Sequence, residues 1–276
     1  MPFNEVRKAP LSVRQAIQLT ARRVADSGIF FDFDGTLAPI QADPASVQPV
    51  PGIRAVLARL ATTVKRLGVI SARPVDFLKP HFQGIDGICL HGLYGLEVMN
   101  ADASVGIHEG ADSWMPTVRR LVSEAASDLP PAVRIEDKRL SLALHYRAAP
   151  ECQGVIEQWA RAQSKRTGLA VREGRMTFEL VPPLNRDKGS VLREEIDDLS
   201  CAWYFGDDLS DLDAFRALAE RESQREGFIG VRVAVANREV GQRLAGAADF
   251  SIESPEDVLP FLSRLAAELG SPAVEK

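Results

Sequence analysis

The segment Phe30-Phe31-Asp32-Phe33-Asp34-Gly35-Thr36-Leu37 sets two acids two residues apart, straight after an apolar run. In an extended strand residues i and i+2 share a face. Asp32 and Asp34 therefore end an apolar strand with both carboxylates on one side. Like charges there are unfavourable unless a cation or a proton compensates them. A divalent metal, which prefers hard oxygen ligands, supplies the simplest compensation. A lone Asp-x-Asp would also suit a solvated turn or a helix cap. The flanks favour the metal reading, because an apolar strand has no packing reason to finish in two acids. Gly35 also offers a backbone conformation that other residues resist.

Three downstream segments suit the same site. Val69-Ile70-Ser71-Ala72-Arg73-Pro74 is an apolar run ending in a hydroxyl, with Pro74 fitted to a first helical turn. Asn185-Arg186-Asp187-Lys188-Gly189-Ser190 puts a lysine at a helix start. Tyr204-Phe205-Gly206-Asp207-Asp208-Leu209-Ser210-Asp211 is a second apolar strand running into acids. For Ser71 a helix cap is the competing interpretation; for Lys188, a solvated surface group; for Asp211, first-turn helix charge.

Elements in a strand-helix-strand rhythm must position these groups. A helix over 12–25 leads to a strand over 28–33. Ile53, Val56, Leu57, Leu60, Val64 and Leu67 then recur at helical spacing up to Gly68. Strands follow at Val69-Ile70 and over 87–90. The rhythm resumes with a strand over 202–205, a helix capped by Ser210 through Leu218, strands over 231–235 and 250–252, and a final helix opened by Ser254 and Pro255. This is a parallel α/β sheet with right-handed crossovers. In such sheets ligands bind at the carboxyl ends of the strands, where all four segments fall. The middle differs, with helix, strand, strand given twice between 113 and 180. It reads as a compact α+β module inserted into a Rossmann-like core. The division expected is 1–105 core, 106–182 inserted α/β cap, and 183–276 core.

Composition is ordinary for a globular chain: 276 residues, 45% hydrophobic and 26% charged. A net charge of -5 argues against a nucleic-acid or anionic-membrane partner. No apolar run reaches membrane-span length, and Met1 to Lys8 lacks a signal core. Cys89, Cys152 and Cys201 are too scattered for a disulfide or metal framework. A cytoplasmic location is the resulting expectation.

The order acid pair, hydroxyl, lysine, acid cluster resembles the four motifs of the haloacid dehalogenase superfamily of phosphotransferases. The resemblance implies Asp32 as nucleophile toward phosphorus. Asp34 would be general acid-base, with its backbone carbonyl on Mg²⁺. Ser71 and Lys188 would bind the phosphate. Asp207 would join Asp32 and Asp34 as metal ligand, while Asp208 and Asp211 would orient groups behind them. An acid at 34, where ion pumps of this superfamily carry threonine, implies rapid dephosphorylation.

Within that superfamily, Gly92 to Glu97, Ile135 to Lys138 with His145-Tyr146-Arg147, and Gly174 to Glu179 are similar to the trehalose-6-phosphate phosphatases. The form Gly206-Asp207-Asp208 with Asp211 to Phe215 is similar too, and the likeness spans roughly residues 27 to 260. It implies Mg²⁺-dependent hydrolysis of trehalose 6-phosphate through a phospho-aspartate. It also implies a cap that closes over the disaccharide, and sugar contacts from Glu97, Arg147, Arg175 and Glu179. The family usually has lysine at 175 and glycine at 72, where this chain has Arg175 and Ala72. Other activities weighed are hydrolysis of sucrose phosphate or a phosphorylated glycerate glycoside, a phosphomutase, and a non-catalytic sensing module.

Overall fold

The computed structural model describes residues 9–41, 43–100, 102–174, 176–236 and 242–270. Contacts divide the chain into two compact units, Met1–Val105 with Arg186–Lys276, and Gly106–Asn185. The first opens with α1 (Val13–Ala21), β1 (Ser27–Phe31), α2 (Ile53–Ala61), β2 (Arg66–Ile70), α3 (Val75–Phe82), β3 (Ile88–Gly92) and β4 (Glu97–Met99). The short β5 (Val105–Ile107) straddles the division. The second unit holds α4 (Met115–Asp128), β6 (Arg134–Asp137), β7 (Leu142–His145), α5 (Gln153–Thr167), β8 (Ala170–Gly174) and β9 (Thr177–Val181). The first is completed by α6 (Lys188–Glu195), β10 (Cys201–Gly206), α7 (Asp211–Gln224), β11 (Ile229–Val235), α8 (Gln242–Ala247), β12 (Phe250–Ile252) and α9 (Pro255–Leu269).

In the first unit the sheet order is β12-β11-β10-β1-β2-β3-β4-β5. The strands from β12 to β3 run parallel, and β4 is antiparallel to β3. This is the expected parallel-sheet α/β core. Both faces of β1 are covered, so Ser-Gly-Ile-Phe-Phe is buried throughout and reads as a continuous run instead of alternating with polar residues. Its side chains still alternate between faces. Ile29 and Phe31 join Phe205 and the apolar stripes of α1, α2 and α9, while Phe30 joins Tyr204 and the stripes of α6, α7 and α8. Phe31 stacks on Phe205 with ring centroids 4.9 Å apart.

Several details differ from the expectation, among them the end of α7 at Gln224 instead of Leu218. The helix foreseen up to Gly68 stops at Ala61, because Arg66 and Leu67 pair with Gly28 and Ile29 of β1. Leu67 fits the helical spacing, but it points into the core from a strand. Strand β1 ends at Phe31, so Asp32 begins the turn. Ser210 does precede α7, but its hydroxyl donates to Asp208 Oδ1 at 2.6 Å and makes no capping bond. Ser254, by contrast, accepts from Asp257 N as a true cap of α9.

The second unit is a four-stranded antiparallel sheet, ordered β6-β7-β9-β8. Leu142, Leu144, Phe178 and Leu180 point to one face and pack with Val118, Leu121 and Ala125 of α4 and Ile156 and Ala160 of α5. Ala143 pairs with Glu179 on the opposite face. Among the described residues no helix is long and apolar enough to cross a membrane.

Candidate active site

Register brings the key strand ends together. Phe31 pairs with Phe205 on one side and Val69 on the other, and Asp32 N donates to Phe205 O at 2.9 Å. The ends of β1, β2 and β10 therefore stand side by side, delivering Asp32, Ser71 and Asp207 to one edge. Lysine 188 comes from the first turn of α6, whose N-cap Asp187 accepts from Ser190 N in a capping box. A Cβ on Gly189 would stand 2.4 Å from Asp213 O, so the glycine lets α6 lie against the start of α7.

These placements build a buried charge cluster. Lys188 Nζ lies 2.9 Å from Asp32 Oδ2 and 2.7 Å from Asp211 Oδ1. Asp211 accepts four bonds: Lys188 Nζ and Tyr204 Oη on Oδ1, at 2.7 and 2.9 Å, and Asp207 N and Asp208 N on Oδ2, both at 2.9 Å. That saturates a carboxylate and makes Asp211 the post on which the Asp207–Asp208 turn and Lys188 are hung. Space for it comes from Gly206, where a Cβ would stand 2.2 Å from Asp211 Cγ. Asp208 Oδ1 folds back onto Ser210 N and Oγ, at 2.8 and 2.6 Å.

Electrostatics follow from burial. Desolvation pushes the Asp32 carboxyl well above its usual range; Lys188 opposes that, and Asp211 and Asp207 add to it. Burial likewise raises Asp211 against the pull of Lys188. Desolvation alone would lower Lys188, yet Asp211 and Asp32 hold it well above the ordinary lysine range.

Asp32, Asp207 and Asp211 each bring a carboxylate oxygen within 4.8 Å of the other two. Such hard anionic oxygens fit a divalent cation. With its own bonds saturated, Asp211 is better suited to hold the others than to touch the ion. Room is also kept beside Asp207: Gly35, at φ +82°, would carry a Cβ only 2.1 Å from its Oδ2.

The other expected residues separate into groups. Asp34 enters the metal expectation through its backbone carbonyl; its carboxylate is gripped by Arg73, Nε to Oδ2 at 2.8 Å and Nη2 to Oδ1 at 2.7 Å. Ser71 is buried, and its Oγ accepts from Arg73 N at 3.2 Å. Glu97 is buried too, with Oε2 accepting from Val75 N at 2.8 Å. That bond ties down the first turn of α3, a structural task that the sugar-contact expectation did not foresee. In the second unit Glu179 is buried with Lys138 and Ser141, which donate to its Oε1 at 3.2 and 2.6 Å. Arg147 is exposed. Arg175 lies outside the described residues.

Sequence reasoning gave no role to Arg73, Lys138, Ser141 or Tyr204. Only Arg73 carried a local signal, four residues before Phe77 at helical spacing.

A family model described as trehalose-phosphatase matches residues 30–255. Trehalose-phosphate phosphatase of Mycobacterium marinum is 36% identical over 253 residues, covering 88% of this chain and 62% of that protein. Its Mycobacterium leprae counterpart is 34% identical over 266 residues, covering 91% and 59%. The chain thus spans about six tenths of the length of these relatives. Among solved structures, the C-terminal domain of trehalose-6-phosphate phosphatase from C. albicans superposes with a TM-score of 0.75 at 22% identity, covering 96% of this chain and 99% of that one. A trehalose-6-phosphate phosphatase related protein gives 0.71 at 21%, covering 87% and 97%. These last two bear on the fold, and the family match covers most of the sequence: the chain belongs to the trehalose-phosphatase family.

Proposed function

We propose that this protein hydrolyses trehalose 6-phosphate to trehalose and phosphate, with Mg²⁺ as cofactor and Asp32 as nucleophile. The observation that carries the reading is the buried cluster in which Lys188 Nζ lies 2.9 Å from Asp32 and 2.7 Å from Asp211. Asp32 and Asp211 on this lysine, with Asp207 beside them, would repel a phosphate dianion unless a cation were present. When bound, Mg²⁺ would supply charge neutralisation of the transferring group, held by Asp32, Asp207 and the Asp34 backbone carbonyl.

The chain's own residues then divide the work. Asp32 attacks phosphorus and forms an acyl phosphate as the bond to the sugar oxygen breaks. Asp34 gives that oxygen a proton, then takes one from the water that attacks the phospho-aspartate. Lys188 and the Ser71 hydroxyl hold phosphate oxygens. Asp211 and Asp208 keep Lys188 and Asp207 in place.

Sugar recognition falls to the second unit in this reading, which serves as the cap. Glu179, steadied by Lys138 and Ser141, joins Arg147 and Arg175 in binding hydroxyls, with Glu97 of the first unit as a further sugar contact. Charged, bidentate groups suit a polyol, and such a site rejects analogues that leave its polar atoms unpaired.

The test is phosphate release from trehalose 6-phosphate, glucose 6-phosphate and sucrose 6-phosphate, each with and without Mg²⁺. Release from trehalose 6-phosphate well ahead of the others, and only with the metal, supports the reading. Preference for another ester rejects the substrate, and turnover that ignores chelator rejects the cofactor.

A further inference from the structure

We propose that Arg73 is a positioning residue for Asp34, and that the aromatic ring of Phe77 and the loop over 92–94 are built to hold it there. This rests on the phosphatase reading above, in which Asp34 must meet first a leaving oxygen and then a water.

Asp34 follows the strand end in a tight turn, where Gly35 N donates to Ala38 O at 2.7 Å and Leu37 N donates to Phe33 O at 2.9 Å. That turn fixes the backbone, but the side chain is still 31% exposed and free to rotate unless something grips it. The grip is Arg73. Its Nε and Nη2 take both carboxylate oxygens, at 2.8 and 2.7 Å. A planar fork meeting a carboxylate in this way fixes rotation as well as distance. The remaining lone pairs of Asp34 are then aimed in a set direction.

Arg73 is itself immobilised. Its side chain is only 11% exposed, and its guanidinium carbon sits 4.3 Å from the centre of the Phe77 ring. Phe77 lies on α3, next to His81 and Phe33, so the shelf under the guanidinium is part of the packed core. The backbone is clamped as well. Leu93 N donates to Arg73 O at 3.0 Å, and Tyr94 N donates to Ser71 O at 2.9 Å. To reach these acceptors, Leu93 and Tyr94 adopt φ of 50° and 59°, conformations that cost energy for such residues. Gly92 permits the approach, since a Cβ there would stand 2.6 Å from Val75 N. Strain and close approach converge on the short segment that carries Ser71 and Arg73.

The two half-reactions call on Asp34 unequally, and this makes the role testable. With p-nitrophenyl phosphate, the P–O bond to the nitrophenyl group breaks as the bond to Asp32 forms. Nitrophenolate leaves with the electron pair and needs no proton. Water then adds to phosphorus, Asp34 takes its proton, and the Asp32–P bond breaks to return the carboxylate. Only the second step depends on Asp34. With trehalose 6-phosphate both steps do.

The experiment compares wild type, Arg73→Lys and Phe77→Leu by rapid-quench kinetics on both esters, with inorganic phosphate as competitive inhibitor and melting temperatures measured alongside. In Arg73→Lys, a nitrophenol burst near the wild-type rate should be followed by a steady rate lower by about 10- to 100-fold, the range expected for a misplaced acid-base group. Inhibition by phosphate should stay within about threefold, since binding to the free protein is untouched, while KM for p-nitrophenyl phosphate should fall together with the steady rate as the phospho-aspartate accumulates. Phe77→Leu should show the same pattern more weakly. A parallel weakening of KM and phosphate inhibition with no burst would overturn the proposal, since Arg73 would then be holding phosphate. Equal losses in every phase, tracking the melting temperature, would overturn it as well by making Arg73 merely structural; so would unchanged kinetics. If wild type turns over neither ester, the phosphatase reading itself falls.

Discussion

Each unit of this protein buries a lysine against a carboxylate, and the two pairs differ in balance. In the second unit Lys138 meets Glu179 at 3.2 Å, with Ser141 donating to the same oxygen. In that pair one positive charge faces one negative charge. In the first unit Lys188 faces Asp32 and Asp211, and Asp207 stands close by. Three carboxylates lie together there, two of them on the ammonium. Gathering these acids out of water is costly, which supports the proposed cation site. In the proposed reading this cluster holds a cation and carries the chemistry. A matched pair is what a rigid recognition surface needs.

The contrast can be broken most sharply at Asp32. Asp32→Asn removes one of the crowding acids, so turnover should fall by about 10³-fold or more, while urea denaturation shows stability held or raised. A large loss of stability would mean that the cluster is not over-charged. Lys188→Met should do the reverse for stability, costing about 3–5 kcal/mol because it strips the ammonium from buried Asp32 and Asp211. Added Mg²⁺ should recover part of that loss in the same denaturation series. Next is Glu179→Gln, which leaves Lys138 without that carboxylate and should cost about 1–3 kcal/mol. Unlike the Lys188 variant, it should gain no more from Mg²⁺ than wild type does.

The smallest effect concerns the thiols of the first unit. Burial pushes Cys89 up to about 11, and Glu195 adds to the shift; burial likewise lifts Cys201 to about 11. Little thiolate is then present at pH 8. Both should react slowly with a disulfide reagent until the protein is unfolded, as peptide mapping after timed labelling would show. Fast labelling of either in the native state would contradict this burial.

Legibility followed the same divide between local and distant causes. Asp32, Asp34 and Asp207 were readable because an apolar strand ending in acids is a local anomaly that no packing requirement explains. Lys188 was readable through its helix start, which Asp187 caps. Asp211 was visible as an acid at a helix start, but its four hydrogen bonds were not. They depend on Tyr204 and Lys188 arriving from other elements. Arg73 was missed as a partner of Asp34 because the two lie on different strand ends, joined only by the pairing of β1 with β2. Glu97 has a second task that distance in sequence concealed. Its motif implies a ligand contact, and the structure adds a bond from Val75 N to its carboxylate that the motif does not reveal. The α2 boundary differs because Leu67 satisfies both a helical spacing and a strand's inward face. Only the pairing partner decides between those readings.

The account stands most directly on whether phosphorus is captured by Asp32. Rapid acid quench of the protein with trehalose 6-phosphate and Mg²⁺, followed by peptide mass mapping, measures this. We expect a transient phosphoryl group on the peptide that carries Asp32, absent with chelator and absent in Asp32→Asn. Free phosphate released at the full rate, with that peptide never labelled, would contradict the account.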